Sequence, residues 1–379
     1  MIIGYKAGMK GMVYRSSNYL ITKLGGSYTP GDYLDLIYTL QFSDLIEQDF
    51  QSIQTWQDAD TFFEEHTSFI HPVAFTGRPV AGIELWLNLL ERLQQIDAIN
   101  YDRIHKGLPY YHAGIYSLFA TKYTEAFEWF GYAFEQDIRT GRIPNPGTPS
   151  LWILTFDTRV GHLTQGADYG NTQKLLTEIE SLIRNIYQHD SFIITSQSLR
   201  GIVKSKIVTS GTTRALRSAW ADFLALIMFH NYVKKIIRIS PKQEEAQLSA
   251  HTALLRLTLI LETLIKQVPD YSSYSNVDEN SKLGDLFQHI IGPKYGYTYT
   301  SSNCFISSDI RKDYNLILND IHSAESSEAK LAVAFTVAQR IRNYSHHVFN
   351  KEYISEEIFE NIYLRLVYCI LSVIVKLYI

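Results

Sequence analysis

Apolar residues recur every three to four positions along most of this chain, with polar residues between them. That spacing places the apolar side chains on one face of an α-helix, because a helix completes a turn in about 3.6 residues. The pattern is clearest in stretches without a proline, which span residues 83–99, 171–187, 213–237 and 251–268. We therefore predict an all-α fold.

One part of the chain is strongly acidic. Residues 32–65 carry aspartates and glutamates but neither lysine nor arginine. Apolar residues interleave with the acids at helical spacing, so we expect the acids to form a solvated helix face. A metal loop is disfavoured, because Asp58-Ala59-Asp60 lacks the glycine that such a loop needs. Helix breaks are expected next, at His71-Pro72 and Gly77-Arg78-Pro79.

A helical hairpin is predicted near residue 110. Several residues there resemble one tetratricopeptide unit, in which small side chains let two antiparallel helices approach closely; they are Tyr110, Gly114, Ala126, Phe130 and Ala133. Ser117 and Ile138 replace the aromatic residue and the proline of that repeat. A stable stack needs about three repeats, so the pattern predicts a hairpin in a repeat-like region.

Polar stretches suggest where the chain divides. Residues 142–149 contain three prolines and cannot continue a helix, which makes them a candidate subdomain split. Residues 191–210 are β-branched and predicted to be irregular. Residues 240–249 are polar and contain a proline, so we place the main boundary there. The predicted domains are an N-terminal helical region, 1–240, and a C-terminal bundle, 245–379.

The C-terminal part is predicted to contain five helices. Their expected positions are residues 251–268, residues 281–291 with an end at Gly292-Pro293, residues 308–321, a helix from Ser326 or Ser327, and a helix from Ser355. Ser355 is the expected N-cap of the last helix, and Ile354 is placed to pack on Phe359. That helix is apolar nearly all round, so we expect it to be buried in a bundle or across a dimer interface.

The net charge of −4 excludes a uniformly basic nucleic-acid-binding protein, but the charge is uneven. Residues 191–243 contain the single acid Asp222 among many basic residues. These are candidates for contacts with a polyanion or, equally, for solvated faces of buried helices; the candidates are Arg200, Lys204, Lys206, Arg214, Arg217, Lys234, Lys235 and Arg238.

Cysteine content and hydropathy indicate the compartment. Cys304 and Cys369 lack the spacing of a redox pair or a zinc site, which predicts a reducing, cytoplasmic location without a metal or cofactor. Residues 1–12 lack the apolar core of a signal peptide. The apolar run 367–375 is shorter than the roughly 20 residues that cross a bilayer, so no membrane association is expected.

The candidate chemistry lies near the C-terminus, in Arg342-Asn343-Tyr344-Ser345-His346-His347. This stretch places a fixed cation beside imidazoles that titrate near neutral pH. Together with residues 255–264, it resembles HEPN domains, which are all-α bundles of four or five helices. Their R-x(4-6)-H motif often begins Arg-Asn and lies just before the last long helix. The resemblance covers about residues 245–379 and implies a homodimer formed through the C-terminal helices.

Many HEPN proteins are metal-independent endoribonucleases of toxin modules, antiviral defence and RNA processing. The resemblance implies that His347 is the base, Arg342 the phosphate clamp and Asn343 the orienting amide. Helix geometry instead favours His346, which lies four residues after Arg342 on the same face, whereas His347 lies about 140° away. Either the helix loosens at the motif or two chains assemble the site. Arg340 also precedes both histidines at permitted spacings.

A second copy of the spacing, Arg184 to His189, precedes a stretch predicted to be irregular, and we interpret it as chance. Phe349 occupies the position where HEPN toxins neutralised by a nucleotidyltransferase antitoxin carry a tyrosine, so neutralisation by such an antitoxin is not expected.

The predicted function is metal-independent cleavage of single-stranded RNA through attack by the 2′-hydroxyl. The alternative is a non-catalytic HEPN protein for dimerisation or ligand binding, whose helical-repeat region binds a protein partner. Arg342 and the histidines would then only stabilise a helix C-terminus.

Overall fold

The computed structural model describes residues 47, 49–142, 148–157, 167–187, 195–209, 213–296, 327–347 and 354–378. Regular structure within these ranges is helical and contains no strand, so the predicted all-α class is confirmed. The chain divides into two compact units, which are unit 1 (residues 1–154 and 163–168) and unit 2 (residues 155–162 and 169–379).

Besides a helical turn at residues 49–51, the described part of unit 1 contains six helices with both ends defined. They are α1 (Trp56–Phe75), α2 (Pro79–Ile96), α3 (Ala98–Arg103), α4 (Gly107–Phe119), α5 (Tyr123–Arg139) and α6 (Pro149–Leu154). The remaining helices are α7 (Ala167–Tyr187), α8 (Ser196–Ile202), α9 (Arg214–Ile239), α10 (Glu244–Lys266), α11 (Leu283–Leu286), α12 (Gly292–Tyr295), α13 (Ser327–His347) and α14 (Glu356–Leu377).

The first helix shows why one predicted break is wrong. Thr55 and Asp58 form a capping box at the start of α1, in which each side chain accepts a hydrogen bond from the other residue's backbone. The helix then passes through Pro72 and ends at Phe75. Proline removes one backbone donor, but Val73 and Ala74 are buried, and this packing holds the last turn in helical form. The predicted break at Gly77-Arg78-Pro79 is confirmed, because Pro79 begins α2.

The predicted hairpin is confirmed as α4 and α5, two helices that pack closely against each other. A Cβ atom at Gly114 would lie 2.5 Å from the ring of Phe130, so only glycine permits this approach. Phe130 is fully buried, as are Phe127 and Phe134 on the same helix. The small-residue spacing therefore identified a real close contact.

Unit 1 also contains a buried polar network that changes the interpretation of the acidic segment. His105 is buried, with Nδ1 3.1 Å from Asp60 and Nε2 3.1 Å from Asp137. Arg142 Nη1 lies 2.7 Å from Asp60. Burial disfavours the charged imidazole, but the hydrogen bonds that His105 donates to the two carboxylates outweigh it and raise the pKa of His105. Asp60 is therefore part of an ion network, whereas Asp58 and Glu64 are exposed, as expected for a solvated helix face.

In unit 2, the segment predicted to be irregular is helical in its described part. Thr195 caps α8 by accepting a hydrogen bond from the Ser198 backbone, and a π-helical turn, Val203–Val208, follows directly. Leu199, Val203 and Ile207 are fully buried. Their burial outweighs the weak helix propensity of β-branched residues, which was the basis of the wrong prediction.

Four long helices of unit 2 pack around one another: α10 contacts α9, α13 and α14, and α14 also contacts α9 and α13. The residues between α9 and α10 form only a tight turn. Because α9 packs directly on α10, the compact unit begins well before the predicted boundary at 240–245, and the observed division near residues 154–169 lies closer to the candidate split at 142–150.

The last helix has the predicted cap and burial. Ser355 accepts a hydrogen bond of 3.2 Å from the Ile358 backbone, and Glu356 and Glu357 lie in the first turn. The hydroxyl of Tyr378 donates to the Leu264 carbonyl at 2.6 Å, which ties the end of α14 to α10. Burial raises the pKa of the Cys369 thiol well above its usual range.

The predicted helix end at Gly292-Pro293 is wrong. A helical run extends from α11 through a π-helical turn, Phe287–Ile291, into α12, and ends where Gly296 adopts a positive φ of 78°. Pro293 lies near the end of this run, directly after the π-helical turn. The predicted helix at 308–321, Cys304, His189 and Phe349 lie outside the described residues.

Candidate active site

Arg342 lies in the last two turns of α13, and its guanidinium reaches across to α10. Its Nε atom is 3.2 Å from Oε2 of Glu262. Both side chains are largely shielded, with exposed fractions of 21% for Arg342 and 17% for Glu262. The pair fixes the direction of the arginine while using one of its five N–H donors.

A second cation shares the same carboxylate. Lys266, one turn after Glu262 on α10, places Nζ 2.8 Å from Oε1 of Glu262. Lys266 also donates to the Glu279 carbonyl at 3.1 Å. Two cations around one carboxylate leave a formal charge of +1 on the Arg342–Glu262–Lys266 cluster, so the cluster remains attractive to an anion such as phosphate.

The backbone of α13 is α-helical through His347. The loosening that would bring Arg342 and His347 onto one face within a single chain is therefore not seen. On this helix His346 shares the face of Arg342, and His347 lies about 140° away. The side chains of His346 and His347 lie outside the described residues, so the choice between the two histidines stays a prediction.

The other candidates on α13 differ in their environments. Asn343 is exposed. Arg340 is partly buried, and its Nε atom has no hydrogen-bond partner among the described residues. Since Ser355 caps α14 shortly after the motif, the motif directly precedes the buried last helix, as the sequence predicts.

Part of the basic segment pairs with acids of α14. Lys234 lies 3.1 Å from Glu360, which also contacts His230 at 2.7 Å. Burial opposes the charge of Glu360, but the bonds from His230 and Lys234 outweigh it and lower its pKa. Arg238 Nε donates to Glu356 at 2.9 Å. These two cations therefore anchor α9 to α14, and their charge is partly cancelled.

The rest of the basic segment is dispersed over several turns. Arg200 lies 4.0 Å from Asp157 and its guanidinium lies 5.4 Å from the centre of the Phe156 ring. Lys206, Arg214 and Lys235 are exposed, whereas Lys204 and Arg217 are partly exposed. Contact of these residues with a polyanion stays a prediction.

The second copy of the motif begins on the exposed side of α7. Arg184 is exposed and lies in the last turn of that helix. His189 lies outside the described residues. A cation in the last turn stabilises the negative end of the helix dipole, which is the ordinary structural role for Arg184.

Glu262 is the residue of this site that sequence reasoning missed. It lies inside the stretch 255–264 that resembles the first HEPN helix, and it precedes Lys266 by one helical turn. The available signal was a single acid among the apolar residues of 255–264. Its partner Arg342 is 80 residues away in sequence, so no local pattern could pair them.

Comparison with known proteins finds no matching family model, no similar curated protein and no similar solved structure.

By length and composition, α10 and α14 are the helices of the described chain that could cross a membrane. Their apolar windows are 50% and 72% buried against the rest of the chain, which is also typical of core helices.

Proposed function

We propose that this chain is a metal-independent endoribonuclease of the HEPN type that cleaves single-stranded RNA. The observation that carries the proposal is the shielded Arg342, held by Glu262 across α10 and α13 immediately before the buried helix α14. An oriented arginine can donate two parallel N–H hydrogen bonds to a phosphate. A flexible surface arginine can make the same bonds but loses more side-chain conformational entropy in doing so. The resemblance of residues 245–379 to HEPN domains supplies the reaction.

In the proposed reaction, a base removes the proton from the 2′-hydroxyl, and the 2′-oxygen attacks the adjacent phosphorus. The bond from phosphorus to the 5′-oxygen breaks, and a proton from a general acid neutralises the leaving oxygen. The products are a 2′,3′-cyclic phosphate and a 5′-hydroxyl. A histidine with an ordinary pKa of about 6.5 can serve as base or acid, and the guanidinium stabilises the extra negative charge on phosphorus-bound oxygens.

The residues take the roles that the resemblance implies. Arg342 is the phosphate clamp, Asn343 orients the RNA, and His347 is the base. Since α13 is helical to its end, His347 of one chain would act with Arg342 of another in a homodimer, whereas His346 would act within one chain. The basic residues from Arg200 to Arg238 would contact the RNA backbone. We propose a cytoplasmic toxin or antiviral setting on the family resemblance alone.

The test is cleavage of labelled single-stranded RNA by the purified chain in EDTA, with DNA of the same sequence as the nucleophile-free control. We expect RNA to be cut and DNA to be spared. Arg342→Ala and His347→Ala should each reduce the rate by roughly 100-fold or more, the usual effect of removing transition-state or proton-transfer groups. Comparison of His346→Ala with His347→Ala shows which of the two histidines is needed for cleavage.

Arg184→Ala is the matched control, because it removes an arginine from the same spacing outside the proposed site. It should leave cleavage unchanged. Undiminished cleavage by an Arg342→Ala, His347→Ala double variant contradicts the proposal. A wild-type protein that binds RNA or a protein partner without cutting RNA favours the non-catalytic alternative, and mass measurement in solution tests the proposed dimer.

A further inference from the structure

A pocket of about 360 Å³ lies in unit 1, among α2, α3, α4 and α5. Aromatic side chains from three helices form one wall of it. They are Tyr101 on α3, Tyr110 on α4, and Trp129 and Tyr132 on α5. The ribonuclease proposal does not use this pocket, and a volume of a few hundred Å³ is typical of small-ligand sites.

The aromatic wall is already organised. Tyr110 stacks on Trp129 with ring centres 5.6 Å apart and an interplanar angle of 23°. Tyr132 meets Trp129 edge to face at 5.7 Å, and the side chains of Tyr101 and Tyr110 hydrogen-bond to each other. Rings held by one another lose little conformational freedom when a ligand binds, so the wall can contribute its full contact energy.

The pocket lining is negative. Glu91 and Glu135 contribute carboxylates, and the lining contains no lysine or arginine. Two cations lie next to the lining: Arg139 donates to the Asp102 carbonyl at 2.7 Å and to the Gln136 side chain at 2.6 Å, and Lys106 donates to the Ile104 carbonyl at 3.3 Å. The two carboxylates and the negative faces of the rings are the groups of the lining that would attract a cation.

A cation already lies on one of these rings. The Lys106 ammonium is 4.3 Å from the centre of the Tyr101 ring, a distance at which a cation is attracted to the aromatic face. We propose that the pocket binds an organic cation of the alkylammonium type. Its methyl or methylene groups would pack on Trp129 and Tyr110, and its charge would be stabilised by the ring faces and by Glu91 and Glu135.

The test is isothermal titration of the full chain with choline and with 3,3-dimethyl-1-butanol, which has the same shape without the charge. We expect choline to bind at least about tenfold more tightly than the alcohol. A peptide with a trimethyllysine side chain is titrated in the same way. Tighter binding of the peptide than of choline indicates a cation carried by a protein, and tighter binding of choline indicates a free small molecule. Equal binding of choline and the alcohol, or no binding of choline and of the peptide, overturns the proposal.

Three variants locate the site. Trp129→Leu should weaken choline binding by about tenfold, and Glu135→Gln, which preserves side-chain volume, by a few-fold. Tyr232→Leu is the matched control, because Tyr232 is an exposed aromatic residue of α9 in unit 2. Circular dichroism checks that each variant folds. Wild-type affinity in both Trp129→Leu and Glu135→Gln contradicts the assignment. If Trp129→Leu misfolds, wild-type affinity in Glu135→Gln alone contradicts it.

Discussion

The hairpin of α4 and α5 allows a sharp test of packing, because Gly114 and Gly131, one on each helix, lie in opposite environments. A Cβ at Gly114 would lie 2.5 Å from the Phe130 ring, about 0.9 Å short of ordinary contact at 3.4 Å. Phe130 is fully buried and cannot turn into solvent. Gly131 lies in the same hairpin, and a Cβ there meets nothing within 4 Å.

Overpacking costs about 1–3 kcal/mol, and replacing a helical glycine with alanine regains about 1 kcal/mol. Gly114→Ala should therefore destabilise the protein by about 1 kcal/mol, whereas Gly131→Ala should stabilise it by about the same amount. Urea unfolding followed by circular dichroism measures both, as opposite shifts in midpoint with little change in slope. Stabilisation by both substitutions would refute the close approach of α4 and α5.

Three further predictions follow from particular contacts. Thermal stability should fall between pH 7 and pH 5, because burial lowers the pKa of His66 to about 3 and of His71 to about 4. Below pH 6.5 the unfolded chain then binds protons that the folded chain does not, so each histidine lowers the free energy of unfolding by about 1.4 kcal/mol per pH unit. A calorimetric Tm that does not change with pH would contradict this. Glu262→Gln should slow RNA cleavage less than Arg342→Ala does, since it releases the arginine without removing it; single-turnover rates compare the two, and an equal loss would show that orientation and charge are inseparable. Ser355→Ala should cost about 1 kcal/mol through loss of the α14 cap, measured by urea unfolding, with no cost if the cap is absent.

Features with a local physical cause were predictable from the sequence. Ser355 is a good cap wherever a helix follows it, and its hydrogen bond to Ile358 was confirmed. The close approach at Gly114 followed from the spacing of small residues within one hairpin. The burial of α14 followed from its apolar surface on all sides.

Features that depend on distant residues were not predictable. Pro72 signals a break, but the burial of Val73 and Ala74 holds the helix together. Residues 195–208 have weak helix propensity, and burial of Leu199 and Val203 decides their structure. Local periodicity carries no information about which distant helix covers a given face.

The same limit applies to the two sites. Arg342 was recognisable from a motif, whereas Glu262, its partner on α10, was visible only once the helices were packed. The aromatic pocket gathers Tyr101, Tyr110 and Trp129 from three helices, each of which has an ordinary amphipathic pattern.

The most direct test of the proposed ribonuclease is the chemistry of the ends that it leaves. The purified chain is incubated in EDTA with single-stranded RNA, and the product termini are identified by mass spectrometry. Attack by the 2′-hydroxyl with Arg342 as phosphate clamp predicts 2′,3′-cyclic phosphate and 5′-hydroxyl ends, lost in Arg342→Ala. Products with 3′-hydroxyl and 5′-phosphate ends, or intact RNA after incubation with the wild-type chain, would contradict the account.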